Sequence, residues 1–272
     1  MKYSKDKRDI FYRRAKELGY RARSAFKLLQ LDNTFHLLDH VKNAVDLCAA
    51  PGSWSQVLIN RIGANNGRVV AVDLQEMSPI DGVIQLQGDI TRRSTAESII
   101  DLFQGHLADI VVCDGAPDVT GMHDMDEYVQ SQLILSALCI TTHVLRPGGS
   151  FVAKVFRGDS LALLLDQLDI FFNKVTVAKP TSSRNSSVES FLVCERYDPP
   201  SDYIPTMITA NLPIRRDVTL SESQRRLVSF LSCGDLVADN QDLDADASYA
   251  LSDSVMLPPV APPIHPPYEQ FI

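Results

Sequence analysis

The stretch VDLCAAPGSWSQVL, residues 45–58, runs from a short apolar segment through alanine, proline and glycine into a helix-like pattern. It reads as a buried strand feeding a helix. Dinucleotide-binding folds place a phosphate-binding G-x-G-x-x-G turn at this point. Here a single glycine, Gly52, stands in the turn, with Trp54 just beyond it. The turn suits a ligand that brings no pyrophosphate against bare backbone.

Working outward from residue 44, apolar strand-like runs alternate with helical patterns. Strands are expected at 44–48, 68–73, 83–87, 109–114, 149–156, 174–179 and 188–195, and helices at 53–62, 94–104, 126–145 and 160–172. The 126–145 helix is expected to bury Val129, Leu133, Leu135, Leu138 and Val144 and to end at RPGG. Apolar strands alternating with helices predict an α/β fold, Rossmann-like, with a mainly parallel seven-stranded sheet covered on both faces. The last two strands follow each other without a helix, so they are expected to pair antiparallel at one end, with one strand reversed. Ahead of the sheet, residues 4–18 carry a helical pattern with Ser4 in front, and Ser24 is expected to cap a second helix.

In such a sheet, ligands sit at the carboxyl ends of the strands. The second strand ends at Asp73, 21 residues past Gly52, which is the ribose-binding spacing. The third leads to Asp89 in GDI and the fourth to Asp114 in DGAPD. Three acids make a poor seat for a pyrophosphate. They suit a ribose diol, an exocyclic amine and a positive charge, and S-adenosylmethionine carries all three. Asp73 is assigned to the ribose hydroxyls and Asp89 to the adenine amine. The Gly52 backbone is placed against the methionine portion, and Trp54 and Asp114 join the cofactor set. Each acid on its own also reads as a helix cap.

The net charge of −8 alone argues against a nucleic-acid partner, but its distribution does not. Residues 1–30 hold ten Lys or Arg against three acids, and after Arg226 there are seven acids and no Lys or Arg. A basic arm for phosphates and an acidic tail kept from them fit this asymmetry, as would a merely solvated basic helix. The five cysteines form no C-x-x-C pair and read as buried reduced thiols, without metal or disulfide. No apolar run approaches the roughly 18 residues of a membrane span. A cytoplasmic location is expected, with a nuclear one as the alternative. The chain divides into a basic arm (1–30), a Rossmann-like domain (31–196) and an extension (197–272). The extension is acidic, loop-rich and proline-rich, and its end, PPVAPPIHPPY, favours polyproline II.

DLCAAPGSWSQ, AVDLQ, GDIT, VVCDGAPDVTG and FVAKVFRG together resemble the FtsJ-type ribose 2′-O-methyltransferases, over residues 5–196. The expected sheet is the usual methyltransferase arrangement. The N-terminal segment from Ser4 to Asp32, together with SSRNSSVESFLVC, CGDL and the proline-rich end, looks most like the eukaryotic tRNA anticodon-loop branch. That branch methylates the wobble nucleotide and one two residues 5′ of it. Its members work with a separate auxiliary protein for each position, of WD-repeat or helical-repeat type.

The resemblance implies a Lys-Asp-Lys-Glu tetrad at Lys27, Asp114, Lys154 and Glu189. Independently, Lys154 stands inside an otherwise apolar strand, where a lysine is seldom buried without a reason; a head reaching solvent at the strand end is the alternative. Its assigned role is proton acceptor or hydroxyl positioner, with its pKa lowered by burial and by Lys27. Asp114 and Glu189 orient it, and Lys27 holds the hydroxyl or an adjoining phosphate. Phosphate contacts are expected from Lys5, Lys7, Arg8, Arg13, Arg14, Arg21 and Arg23 and from Arg184, with Tyr20 as a candidate stacking ring. Rival readings are a ribosomal-RNA 2′-O-methyltransferase of the same family, an inactive scaffold binding RNA or a partner, and a small-molecule O-methyltransferase.

Overall fold

The computed structural model describes residues 9–117, 123–158, 161–205 and 229–233. Ser4, Lys5, Lys7, Arg8 and most of the C-terminal extension lie outside them. The described residues begin with α1 (Ile10–Glu17) and α2 (Ala25–Phe35). The α/β body follows: β1 (Asn43–Leu47), α3 (Ser53–Ile62), β2 (Arg68–Asp73), β3 (Val83–Gln87), α4 (Arg93–Leu102), β4 (Ala108–Cys113), α5 (His123–Val144), β5 (Leu145–Phe156), α6 (Leu161–Leu168), β6 (Phe172–Pro180) and β7 (Glu189–Tyr197). A further strand, β8 (Ser229–Cys233), comes from the extension.

The sheet order is β3-β2-β1-β4-β5-β7-β6-β8. Strand β7 is the reversed one, antiparallel to both β5 and β6, as the missing helix between β6 and β7 predicts. The expected seven strands are all present. The eighth, β8, pairs parallel with β6 and covers its outer edge. Residues 229–233 lie in the extension expected to be loop-rich, so part of that extension belongs to the sheet. Covering an edge removes a row of unpaired backbone groups.

Two apolar layers hold the sheet. On one face Leu28 and Leu31 of α2 and Trp54, Val57 and Leu58 of α3 pack on Val152, Phe191 and Val193. On the other, Ile99 of α4, Ile134, Leu138 and Val144 of α5 and Leu164 and Leu168 of α6 pack on Val45, Val111 and Phe151. Each fully buried large apolar side chain contributes roughly 1.5–3 kcal/mol relative to exposure. The α5 face differs from the one expected. Ile134, Ala137, Ile140 and Val144 are buried with Leu138, Leu133 and Leu135 are half-buried, and Val129 is exposed. Val129 and Leu133 line a cleft, Leu133 while also packing against the core.

The basic segment packs against the body. Phe11 and Ala15 of α1 bury against Phe26 of α2, with the Phe11 and Phe26 rings 5.3 Å apart. Helix α1 starts at Asp9, whose Oδ1 accepts from the Phe11 and Tyr12 amides at 3.0 and 3.2 Å, a typical N-cap. Ser24 does not cap α2 with its side chain; its hydroxyl instead meets the Ser53 hydroxyl at 2.6 Å, tying α2 to α3.

Candidate active site

The reversed strand assembles the site. In a parallel sheet, β5 ends at the ligand edge, and an antiparallel neighbour begins there. Glu189, the first residue of β7, is paired with Phe156, and Lys154 with Phe191. Directly paired residues share a sheet face, as do residues two apart on one strand. Lys154 and Glu189 are therefore diagonal neighbours on one face. Continuing the β4–β5 register one step past Cys113 and Ala153 brings Asp114 beside Lys154. From above, α2 lays Lys27 over the same spot, its ammonium 5.7 Å from the Phe191 ring centroid.

The four side chains close on one another. Lys154 Nζ lies 3.4 Å from Asp114 Oδ1 and 3.2 Å from Glu189 Oε2, and Lys27 Nζ lies 2.7 Å from that same Oε2. The Ser183 hydroxyl donates to Glu189 Oε1 at 2.8 Å. Burial alone would raise the Glu189 carboxyl, but Lys27, Lys154 and these hydrogen bonds outweigh it and bring its pKa down to about 2. Lys154 departs from the expectation. Burial does pull it down, yet Asp114 and Glu189 outweigh burial and leave it raised above the ordinary lysine value. In this arrangement Lys154 is an ammonium.

Beside the tetrad lies a cleft of about 540 Å³, a size typical of small-molecule sites. Asp73, Asp89 and Asp114 all line it, with Leu74, Ile90, Val129 and Leu133 as apolar wall. Asp73 accepts from the Ala50 amide and the Gln75 amide, both at 2.8 Å. A carboxylate has about four acceptor positions, so two remain for a diol. Asp89 also does what a cap does: its Oδ1 accepts from the Thr91 amide and hydroxyl at 2.9 and 2.7 Å, and these bonds lower its pKa. Gly115 is required by close approach, since a Cβ there would stand 2.8 Å from Cys48 Cβ. Three carboxylates around an apolar-walled cleft fit S-adenosylmethionine in charge, hydrogen-bond capacity and size.

Two members of the expected cofactor set, Trp54 and Gly52, are not among the residues that line this cleft. Trp54 is a core residue, 2% exposed, whose Nε1 donates to the Ser24 carbonyl at 2.8 Å. Gly52 stands in the turn between β1 and α3. Its φ of 103° is left-handed, and a Cβ would stand 2.6 Å from Ile80 Cδ1 and 3.1 Å from an Arg21 nitrogen. The turn is instead braced from outside by Arg21, which donates to the carbonyls of Pro51, Ser78 and Pro79. Cys48 and Ala50 take the places at the cleft.

The expected phosphate ligands divide similarly. Arg21 is committed to that brace and Arg13 is buried. Arg14 is half-buried on α1. Arg23, Arg184, Lys27, Ser183, Ser187 and Glu189 line a second pocket of about 250 Å³ on the other side of the tetrad. Tyr20 packs edge-on to Phe26, with centroids 6.1 Å apart.

A family pattern described as FtsJ-like methyltransferase matches residues 20–197. The chain belongs to this family. It is 57% identical to the human tRNA (cytidine(32)/guanosine(34)-2′-O)-methyltransferase, over 98% of this chain and 83% of that one. It is 50% identical to the protein of the same name from Schizosaccharomyces pombe, over 99% and 95%. A solved structure of a ribosomal RNA methyltransferase, putative, from Plasmodium falciparum superposes with a TM-score of 0.60 at 27% identity, over 65% of this chain and 98% of that one.

Two buried polar residues of this FtsJ-like methyltransferase escape a sequence reading. Gln130, 1% exposed on α5, donates through Nε2 to the carbonyls of Gly115 and Lys154, at 3.1 and 2.8 Å, and so fixes the turn after β4 against β5. Asp126 and Gln130, two polar residues four apart at the start of a largely apolar helix, were the available signal. Asp46, mid-β1 and 1% exposed, accepts from the Ser55 hydroxyl at 2.6 Å, and burial raises its carboxyl to about 7.

Proposed function

We propose that the chain transfers the methyl group of S-adenosylmethionine to the ribose 2′-hydroxyl of nucleotides in the tRNA anticodon loop, at position 32, position 34 or both. The observation that carries this is the tetrad set between two unlike pockets, one acidic and one basic. The first suits a sulfonium nucleoside, the second an RNA backbone. The tRNA methyltransferases named above, 50–57% identical over nearly the whole chain, support the substrate. A relative named ribosomal RNA large subunit methyltransferase E, from Methanothrix thermoacetophila, is 42% identical over 70% of this chain.

The bound cofactor supplies an electrophilic methyl group. Asp73, Asp89 and Asp114 would hold it, and Leu74, Ile90, Val129 and Leu133 would shield it from water. The acceptor hydroxyl is seated by Lys27 Nζ and Lys154 Nζ, whose positions Glu189 and Asp114 fix. Holding attacking oxygen and methyl in line removes much of the entropic barrier. Lys154 takes the hydroxyl proton only after releasing its own. Methyl transfer therefore rises with pH toward the raised lysine value. The extension 197–272, of which β8 is a part, docks an auxiliary protein that positions the tRNA; its proline-rich composition supports this role. The test is nucleoside mass spectrometry of anticodon-loop fragments from cells with and without the protein. Loss of 2′-O-methylation at 32 or 34 is expected, and an unchanged loop overturns the reading.

A further inference from the structure

In the sequence Asp9 is only an acid interrupting a basic run. In the structure it is a buried junction. One oxygen, Oδ1, caps α1. The other, Oδ2, pairs with two guanidiniums, Arg23 at the entrance to α2 and Arg184 in the loop between β6 and β7, the latter at 3.3 Å. The Asp9 side chain is 4% exposed, whereas those of Arg23 and Arg184 are 21% and 36% exposed and reach the pocket beside the tetrad. Arg23 also donates to the Ser182 carbonyl, and the next residue, Ser183, donates to Glu189. A continuous chain of bonds thus runs from Asp9 to the catalytic carboxylate.

One carboxylate, that of Asp9, holds two guanidiniums, and both line a pocket that also includes Ser183 and Ser187. Guanidinium forks and hydroxyls are phosphate-recognising chemistry. The pocket shares Lys27 and Glu189 with the tetrad. In RNA the carbon bearing the 2′-hydroxyl adjoins the carbon bearing the 3′-phosphate. A ribose seated at Lys154 therefore brings a phosphodiester to this pocket.

We propose that Asp9 is a positioning residue that holds Arg23 and Arg184 as a clamp for the phosphodiester next to the methylated ribose. This rests on the RNA-methylating function proposed above. Asp9 acts by orienting the pair, and the two effects of removing its charge have opposite signs. Without it the pocket becomes more positive, so overall attraction for RNA does not fall. The arginines lose their fixed geometry, so the ribose is misplaced, and small misplacements cost one to two orders of magnitude in rate.

The test compares wild type, Asp9→Asn, Arg184→Ala and the double variant as full-length chains. The substrate is tRNA from cells lacking the enzyme, in extract of those cells so that any helper protein is present. Asparagine retains the capping oxygen, so α1 remains anchored. Asp9→Asn should lower kcat roughly tenfold or more. Its tRNA dissociation constant should be unchanged or tighter, and S-adenosylmethionine binding should be unchanged. Arg184→Ala should weaken tRNA binding and flatten its log–log salt slope by roughly 0.7–0.9. In the Arg184→Ala background, Asp9→Asn should cost less than a further twofold. A kcat for Asp9→Asn within twofold of wild type, fully multiplicative effects, or a loss of cofactor binding together with fold would each overturn the clamp. A wild-type chain that neither binds nor methylates tRNA would instead overturn the functional reading, and the clamp with it.

Discussion

Replacing Glu189 with glutamine tests the electrostatics of the tetrad directly. The shape is kept and Ser183 still finds an acceptor, but the charge shared by Lys27 and Lys154 is gone. The magnitude follows from the carboxyl's own equilibrium. Its pKa falls from the ordinary 4.5 to about 2 in the folded chain. A tenfold change in proton affinity is about 1.4 kcal/mol, so the ionised form contributes about 3 kcal/mol to stability at neutral pH. This agrees with the roughly 3–5 kcal/mol seen when a buried ion pair loses one partner. The sign is that of a depressed acid: the contribution is complete above the unfolded value and is lost as pH falls from about 4.5 toward 2. Urea unfolding of wild type and Glu189→Gln should differ by about 3 kcal/mol at pH 7.5 and at pH 5.5, and by about 2 kcal/mol at pH 3.5. Equal stabilities at pH 7.5, or a gap that stays constant down to pH 3.5, would refute the picture of one buried carboxylate neutralising two lysines.

The other expected outcomes concern chemistry and the reassigned residues. Glutamine at 189 leaves Lys154 with one carboxylate in place of two, so the rise of the residual rate with pH should move to lower pH; an unmoved limb would separate Lys154 from the proton transfer. Lys154→Arg should be nearly as inactive as Lys154→Ala, because guanidinium keeps its proton, and near-normal methyl transfer by the arginine variant would leave Lys154 a positioning role only. Asp46, raised from 3.8 to about 7, is the opposite case to Glu189: its contribution is complete below about 4 and is lost as pH rises toward 7. Asp46→Asn should therefore remove up to about 4 kcal/mol of pH dependence and gain on wild type most at pH 8, as read by urea unfolding at pH 5 and 8. Trp54→Phe should cost about 1 kcal/mol in urea unfolding by losing the bond to the Ser24 carbonyl, with S-adenosylmethionine affinity by calorimetry within twofold; a large affinity loss would return Trp54 to the cofactor site.

The strands were legible because their signals are local. Residues 44–47, 69–72 and 110–112 are unbroken apolar or nearly apolar runs, and turn residues separate them from the helices. Strand β8 was not, because SFLSC is short and gains its meaning from pairing with 176–180, more than forty residues upstream. The strand-end acids Asp73, Asp89 and Asp114 could be found by spacing, since the α/β topology carries every strand end to one edge. The burial of Trp54 was not legible that way, because its bond to the Ser24 carbonyl exists only once α2 packs on α3. The pKa of Lys154 was misjudged for a related reason. Burial and a neighbouring lysine were counted as dominant, while the register that places two carboxylates within 3.4 Å appears only in the folded sheet.

That register also explains how one small domain accommodates a cationic and a polyanionic ligand side by side. Carboxylates attract the first and repel the second; guanidiniums do the reverse. Mixed at random around one cavity, they would weaken both sites. Here the parallel half of the sheet supplies its strand ends, Asp73, Asp89 and Asp114, to one cleft. The reversed strand β7 and the loop before it supply Arg184, Ser183 and Ser187 to the other pocket, across from Arg23. Lys154, on the strand between the two halves, touches a carboxylate from each, Asp114 on one side and Glu189 on the other. Lys154 is thus held at the boundary between the acidic cleft and the basic pocket. A β7 running parallel to its neighbours would begin at the opposite edge of the sheet, and Glu189 with the arginine-bearing loop would be carried away from Lys154. The reversal of one strand is what puts the two fields in contact.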